Sequence, residues 1–141
     1  LSIIAIIDLK YFIIPTSLII LSALGLLTYN LYNYTNIQDA ITGLLIGLLY
    51  LGGTALISSL VFKKQTLGYG DILLVIILGT WLGLTKIAIT IFISALIALI
   101  VWILISIKSN FNLNKKLPFG FYLSITGIVI YLIDFKYILL F

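Results

Sequence analysis

Long apolar runs, separated by short polar stretches, extend along the whole chain. A transmembrane helix needs about 20 mostly apolar residues to cross the roughly 30 Å hydrocarbon core of a bilayer. We therefore predict an all-α, polytopic transmembrane bundle of about six helices, the first of which is truncated because its start is missing. The predicted segments are residues 1–7, 13–29, 37–62, 71–84, 87–107 and 117–133. The whole chain, 1–141, is expected to form one membrane-embedded domain.

The composition supports a membrane protein and narrows the possible chemistry. Hydrophobic residues make up 63% of the chain and charged residues 9%, against about 45–50% and about 25% in ordinary soluble domains. A water-soluble globule, a disordered chain and a nucleic-acid-binding domain are thereby excluded. The chain has no Cys and no His, which removes disulfides, thiolate metal sites, Cys nucleophiles and Ser-His-Asp catalysis. We predict no cofactor and no bound metal.

The lysines are distributed unevenly between the predicted loops. Six of the eight basic residues lie in loops that share one side of the membrane if all six segments cross. Because lysine-rich loops face the cytoplasm, this side is predicted to be cytoplasmic. The six are Lys10, Lys63, Lys64, Lys108, Lys115 and Lys116, and the opposite side carries Lys86 and Lys136.

Two of the four acidic residues have structural explanations. Asp39 follows Asn36 at the start of the third segment, with the spacing of a capping-box-like helix start. Asp134 lies two residues before Lys136 near the end of the last segment, where an interfacial ion pair is expected. We expect neither acid to act in catalysis.

The other two acids, Asp8 and Asp71, lie where an apolar helix meets a lysine-bearing loop on the predicted cytoplasmic side. Asp71 opens a helix, where its carboxylate interacts favourably with unpaired N–H groups and the positive end of the helix dipole. Asp8 closes a helix, where the dipole is negative, so it requires water or a polar partner. Two carboxylates held close together share a proton and provide a general base and a general acid. Such a pair would activate water against a peptide bond without His, Cys or a metal.

The segment Gly68-Tyr69-Gly70-Asp71 places two glycines directly before the second of these acids. Glycine adopts backbone conformations that other residues avoid, and it lets another chain approach closely. We predict that Gly68 and Gly70 shape the site so that an extended peptide can lie near them, with Tyr69 in the same motif. A flexible loop before a helix is the alternative interpretation.

Three segments follow one another along nearly the whole chain: Asp8-Leu9-Lys10-Tyr11-Phe12-Ile13-Ile14-Pro15, Gly68-Tyr69-Gly70-Asp71 and Leu117-Pro118-Phe119-Gly120. The first resembles the aspartate-bearing segment of type IV prepilin peptidases, and the second resembles their GxGD motif. The third is similar to the segment that opens their last helix. Asp39-Ala40 with Gly43 also fits the start of a middle helix in this family.

The resemblance implies a bacterial membrane aspartic endopeptidase that removes the basic leader from type IV prepilins or pseudopilin-like precursors at the cytoplasmic face, for pilus assembly or protein secretion. Asp8 and Asp71 would be its catalytic pair, and Gly68, Tyr69 and Gly70 its motif residues near the substrate. Bifunctional members also methylate the new N-terminus through a region with paired cysteines, and the resemblance does not extend that activity to these residues. The implied partners are a membrane-anchored prepilin and the lipid bilayer, without nucleic acid, and no oligomeric state is predicted.

Two alternatives stay open. A preflagellin- or presenilin-like GxGD protease would use the same chemistry on another membrane-anchored substrate. A small ion or proton transporter would use Asp8 and Asp71 as its ion site, although transporters often have internal repeats and this chain shows none. Replacing either Asp with Asn separates the classes, because it would abolish proteolysis in one and ion flux in the other.

Overall fold

The computed structural model describes residues 1–32, 37–63, 68–108 and 117–133. All regular structure in these ranges is helical, which confirms the predicted all-α class. The helices are α1 (Ser2–Tyr11), α2 (Thr16–Tyr32), α3 (Ile37–Gly47), α4 (Gly53–Phe62), α5 (Tyr69–Lys108) and α6 (Phe119–Leu132), and a π-helical segment, Leu48–Gly52, joins α3 to α4.

A short connection joins α1 to α2. The chain leaves α1 at Phe12, which has left-handed backbone angles and donates its N–H to the carbonyl oxygen of Asp8 at 2.9 Å. Pro15 then precedes α2, and its carbonyl oxygen accepts the N–H groups of Leu18 and Ile19. Because proline fits the start of a helix but not its interior, α2 begins three residues later than the predicted segment.

One continuous helical rod runs through α3, the π segment and α4, because Gly47, Gly52 and Gly53 all keep right-handed helical angles. Its range Ile37–Val61 is long and apolar enough to cross a membrane, as is Tyr69–Ile107 in α5. Only these two ranges meet that criterion within the described residues. The number of six crossings is therefore not confirmed and stays a prediction.

A sharp kink divides α5 at Gly83, where φ is 73° and ψ is −178°. This backbone region is essentially restricted to glycine. Residues 69–82 and 84–108 consequently behave as two helices joined at a corner. The boundary that the sequence predicts between the fourth and fifth segments, near Leu84, coincides with this kink.

The first half of α5, residues 69–82, forms the centre of the packed core. Leu74, Val75 and Leu78 are fully buried there, and Ile4 from α1 and Leu123 from α6 belong to the same apolar cluster. Three helices, α1, α5 and α6, therefore meet along this segment. The end of α1 carries Asp8 and the start of α5 carries Asp71.

Glycines allow α3 to pack directly on α5. A Cβ atom built at Gly79 would lie 2.5 Å from the carbonyl oxygen of Gly43, so the two backbones are in contact, as small residues permit. Gly47 packs on α5 in the same way, because a Cβ built there would lie 2.7 Å from Val75 Cγ1. Gly52 and Gly53 make no such contact: a Cβ at Gly53 would meet nothing within 4 Å, and one at Gly52 only the side chain of Leu48.

Large apolar side chains cover the outside of the described bundle. Leu49, Leu56 and Leu60 are 71%, 67% and 78% exposed, and only 11% of the most apolar part of Ile37–Val61 is buried. A helix that is apolar on all sides needs an apolar surrounding, either a protein core or lipid. Because this one lies on the outside, its surface is that of a lipid-facing helix.

Candidate active site

Asp8 lies in the last turn of α1 and is only 4% exposed. Its carboxylate is stabilised there by a neighbouring helix, α6. The backbone N–H of Phe121 donates a 2.8 Å hydrogen bond to Asp8 Oδ2. Phe121 is in the first turn of α6, whose N-cap residue, Pro118, provides no capping side chain. Asp8 therefore caps the N-terminus of α6, where the dipole is positive and unpaired N–H groups require an acceptor.

Asp71 lies in the first turn of α5 and is partly buried. The helix begins at Tyr69, two residues earlier than predicted, so Asp71 is inside the first turn rather than at the N-cap position. Its N–H donates to the carbonyl oxygen of Gly68 at 3.1 Å, and its carboxylate interacts with the backbone N–H of Gly68. Asp71 thus stabilises the start of its own helix, whereas Asp8 stabilises the start of a neighbouring one.

The two carboxylates meet beside Gly120, in the first turn of α6. A Cβ atom built at Gly120 would lie 3.0 Å from Asp8 Oδ2 and 3.1 Å from Asp71 Oδ1. These two oxygens are therefore separated by no more than the sum of those distances. The backbone N–H of Gly120 interacts with both carboxylates. One site, built from the end of α1 and the starts of α5 and α6, thus contains both acids that the sequence places on one side of the membrane.

Ile14, in the connection between α1 and α2, packs against two glycines of this site. A Cβ atom built at Gly70 would lie 2.8 Å from Ile14 Cβ, and one built at Gly120 would lie 2.6 Å from Ile14 Cδ1. The Ile14 side chain is buried. It closes the apolar side of the site, and a side chain at either glycine would crowd it.

The motif glycines Gly68 and Gly70 act through their small size and not through backbone angles reserved for glycine. Among the glycines that the structure describes, only Gly83 has a positive φ. Gly70 leaves room for Ile14, and Gly68 leaves room for the Asp71 carboxylate, because a Cβ there would lie 3.2 Å from Oδ2. Tyr69, between the two glycines, is 75% exposed and presents its ring to the surroundings beside the pair.

Comparison with known protein families places the chain among peptidases. The model of the type IV leader peptidase family matches residues 1–103, a range that includes Asp8, the motif from Gly68 to Asp71 and the kink at Gly83. The chain belongs to this family. The family assignment that the sequence motifs suggest is thereby confirmed.

Proteins named prepilin leader peptidase/N-methyltransferase are similar to this family member over most of its length. That of Aeromonas salmonicida is 34% identical over 122 residues, covering 86% of this chain and 42% of that protein. That of Pseudomonas aeruginosa is 32% identical over 124 residues, covering 87% and 43%. A type 4 prepilin-like proteins leader peptide-processing enzyme of Escherichia coli is 35% identical over 92 residues, covering 65% and 32%. No solved structure matches the chain.

The chain spans less than half the length of the curated relatives it matches. The family match itself ends at residue 103, before α6 begins. Gly120 and Phe121, which contact the two acids, therefore lie beyond the matched range and are known as site residues only from the geometry described above.

Sequence reasoning did not assign Gly120 and Phe121 to the site of this leader peptidase family member. Phe121 contributes its backbone N–H, and Gly120 contributes space because it has no side chain. A search for residue types with catalytic side chains finds neither. One signal was available, namely a glycine directly after Pro118 and Phe119, at the start of an apolar segment on the same predicted side as both acids.

The remaining acids do not join the pair. Asp39 lies in the first turn of α3, as predicted. It is exposed there and packs beside Gly83. Its predicted capping partner, Asn36, lies outside the described residues. The predicted interfacial pair of Asp134 and Lys136 also lies outside them.

Proposed function

We propose that this member of the type IV leader peptidase family is a membrane aspartic endopeptidase that cleaves the leader peptide from type IV prepilins or pseudopilin-like precursors. The observation that carries the proposal is the convergence of Asp8 and Asp71 beside Gly120. The substrate class is inferred from relatives that are named prepilin leader peptidases.

The reaction needs only water and one proton held by the pair. The ionised carboxylate takes a proton from the water as its oxygen attacks the scissile carbonyl carbon, and the protonated carboxyl group donates to the carbonyl oxygen. A C–O bond forms, giving a tetrahedral diol. The pair then protonates the peptide nitrogen and removes a proton from one hydroxyl, and the C–N bond breaks. The leader leaves with a new carboxyl terminus, the mature protein has a new amine, and the pair again holds one proton.

Backbone groups of α6 orient the acids in this mechanism. The Phe121 N–H holds Asp8 Oδ2 by its 2.8 Å hydrogen bond, and the Gly120 N–H interacts with both carboxylates. Because these donors belong to a helix, they are already in place before substrate binds, so less reorganisation is required during the reaction. Gly120 and Phe121 are thus positioning residues and the two aspartates are the catalytic ones.

We place the domain, residues 1–141, in the bacterial plasma membrane as a multi-pass bundle with the pair at the cytoplasmic face. The exposed apolar side chains of the long helices support the membrane location. Lys10 follows Asp8 on α1, and Lys63 ends α4 shortly before the Gly68 motif. Lys86 lies at the other end, next to the Gly83 kink. Lysines near the pair favour the cytoplasmic orientation.

The motif residues supply a surface for the substrate in this proposal. Tyr69 is exposed at the start of α5, directly beside the partly buried Asp71. An extended segment of a prepilin that passes along Gly68, Tyr69 and Gly70 would bring its scissile bond to the pair. The apolar helix that follows the cleavage site in such a substrate would then lie in the lipid against the exposed helices.

Co-expression with a prepilin tests the proposal. The full-length protein and an Asp134→Asn control, which has the same chemical change at an acid outside the pair, are expected to shorten the prepilin on a gel. Asp8→Asn and Asp71→Asn are expected to leave it uncleaved at equal membrane levels. Cleavage that survives either substitution would remove that aspartate from the chemistry. A parent protein that inserts normally and cleaves no prepilin would contradict the substrate class.

A further inference from the structure

A second polar site, a groove of about 220 Å³, lies at the end of the helices opposite to the catalytic pair. It forms where the start of α3, the Gly83 kink of α5 and the last turns of α6 come together. Its charged side chains are Asp39 and Lys86, and its aromatic side chains are Tyr29, Trp81 and Tyr131. None of these residues takes part in the proposed proteolysis.

Two aromatic side chains of the groove stack on each other, and its lysine lies over one of them. Trp81 and Tyr131 stack with their ring centroids 4.3 Å apart, and Lys86 Nζ lies 5.9 Å from the Tyr131 centroid. Tryptophan and tyrosine are enriched where a membrane meets water. Their presence around this groove indicates that it lies at the level of lipid headgroups.

Neither of the two charged side chains of the groove forms an ion pair within the described part of the chain. Asp39 packs against the kink, because a Cβ built at Gly83 would lie 3.5 Å from Asp39 Cβ. The two residues form no ion pair with each other, and the Asp39 carboxylate has no hydrogen bond there. A charged side chain that borders the membrane is costly unless a polar group compensates it. A ligand with one positive and one negative group would compensate both.

The distance between the groove and the catalytic pair is shorter than the thickness of an ordinary bilayer. At 1.5 Å per residue, the helix from Asp71 to Gly83 rises about 18 Å, whereas the hydrocarbon core of a bilayer is roughly 30 Å thick. If the pair lies at one interface, headgroups of the opposite leaflet have to be drawn inward to reach the groove. Favourable contacts between the groove and headgroups would offset the cost of drawing them inward.

We propose that this groove binds the headgroup of a zwitterionic phospholipid such as phosphatidylethanolamine. The phosphate lies against Lys86, and the ammonium group lies between Asp39 and the aromatic faces, which attract cations. The volume supports a headgroup, because pockets for drug-sized ligands are about 300–1,000 Å³. The acyl chains lie along the exposed apolar helices outside the groove.

Competitive lipid retention tests this site. The purified full-length protein is equilibrated with equal amounts of phosphatidylethanolamine and phosphatidylglycerol that carry the same acyl chains, and the retained lipids are counted by native mass spectrometry. Phosphatidylglycerol keeps the phosphate but has glycerol in place of the ammonium group. The parent is expected to retain phosphatidylethanolamine preferentially. Asp39→Asn is expected to lower that preference roughly tenfold, since it removes a charge-assisted contact.

Lysine variants separate the groove from general attraction to lipid. Lys86→Gln is expected to lower the retention of both lipids, because both carry a phosphate. Lys63→Gln removes the same charge at the other end of the helices and is expected to change neither. The ratio of the two lipids is measured on monodisperse protein, so a partly unfolded fraction does not alter it. Equal retention of both lipids by the parent, an unchanged ratio in Asp39→Asn, or an equal loss in Lys63→Gln and Lys86→Gln would overturn the proposal.

Discussion

Replacing Gly120 with alanine introduces one methyl group at the point where the two carboxylates meet. The new Cβ would lie 2.6 Å from Ile14 Cδ1, 3.0 Å from Asp8 Oδ2 and 3.1 Å from Asp71 Oδ1. Ile14 Cδ1 is the end of a flexible side chain and can rotate away. The two carboxylate oxygens are held by backbone N–H groups, so they have to move by a few tenths of an ångström while those hydrogen bonds lengthen.

The expected effect is small for stability and large for catalysis. Overpacking costs about 1–3 kcal/mol, here at the low end because Ile14 yields, and replacing a helical glycine with alanine returns about 0.5–1 kcal/mol. The net loss of folding free energy is therefore about 1 kcal/mol or less. A misplacement of 1 Å costs about a hundredfold in rate. We expect Gly120→Ala to lower kcat roughly ten- to hundredfold, with KM little changed.

The assay compares kcat for prepilin cleavage with thermal stability in the same detergent. Gly127→Ala is a matched control on the same helix, because its Cβ would lie 2.9 Å from Leu78 Cδ2, a similar clash that is remote from the acids. It is expected to lower stability by a similar amount and to keep the rate per folded molecule. If Gly127→Ala lost as much activity as Gly120→Ala, general loosening of α6 would explain the effect and the reasoning would be refuted.

A double variant separates the two contacts of the new methyl group. Ile14→Val removes Cδ1, the atom that Gly120→Ala would touch first. Adding Ile14→Val to Gly120→Ala should restore stability without restoring kcat, because the carboxylate oxygens remain crowded. Recovery of kcat in the double variant would show that Ile14, and not the acids, carries the effect.

Four further predictions concern the glycines of the long helices and the shared proton of the pair. Gly79→Ala should lower the free energy of unfolding by about 2 kcal/mol or more, because its Cβ would meet rigid backbone 2.5 Å away. In a denaturation assay, Gly53→Ala, with open space around its Cβ, should be neutral or stabilising. Gly83→Ala should cost about 1–3 kcal/mol because of its backbone angles, and an unchanged melting temperature would contradict this. The kcat/KM for cleavage should be bell-shaped with pH, because the pair of Asp8 and Asp71 acts only while it holds one proton. A flat profile across both limbs would argue against a shared proton.

Local sequence patterns are sufficient to predict part of this molecule. The helical class follows from the apolar runs, and the end predicted for the fourth segment, near Leu84, coincides with the Gly83 kink. Asp8 and Asp71 stand out because both lie at the end of an apolar helix on the same predicted side of the membrane, and because Asp8 has no favourable local partner there. These features depend on neighbours in the sequence, which is why pattern and charge are enough to find them.

Contacts between helices are the part that local patterns do not predict. Asp8 is unfavourable at the end of its own helix, and only the packing of α1 against α6 shows that Phe121 supplies the missing donor. Gly70 looks like a residue for unusual backbone angles, yet it has ordinary angles and makes room for Ile14. Gly120 joins the site through its lack of a side chain. Predicting such roles requires knowing where the other helices lie, and the spacing of residues along one helix does not give that information.

The most direct test of the account is the cleavage rate of a prepilin by Asp8→Asn, Asp71→Asn and the variant with both changes. Residues that act as one catalytic unit have strongly non-additive effects. If the two aspartates form one site, each single variant should lose at least about a thousandfold in rate, and the double variant should lose no more than the worse single one. Losses that multiply in the double variant, or cleavage at near-parent rate by either single variant, would contradict the claim that these two carboxylates work together.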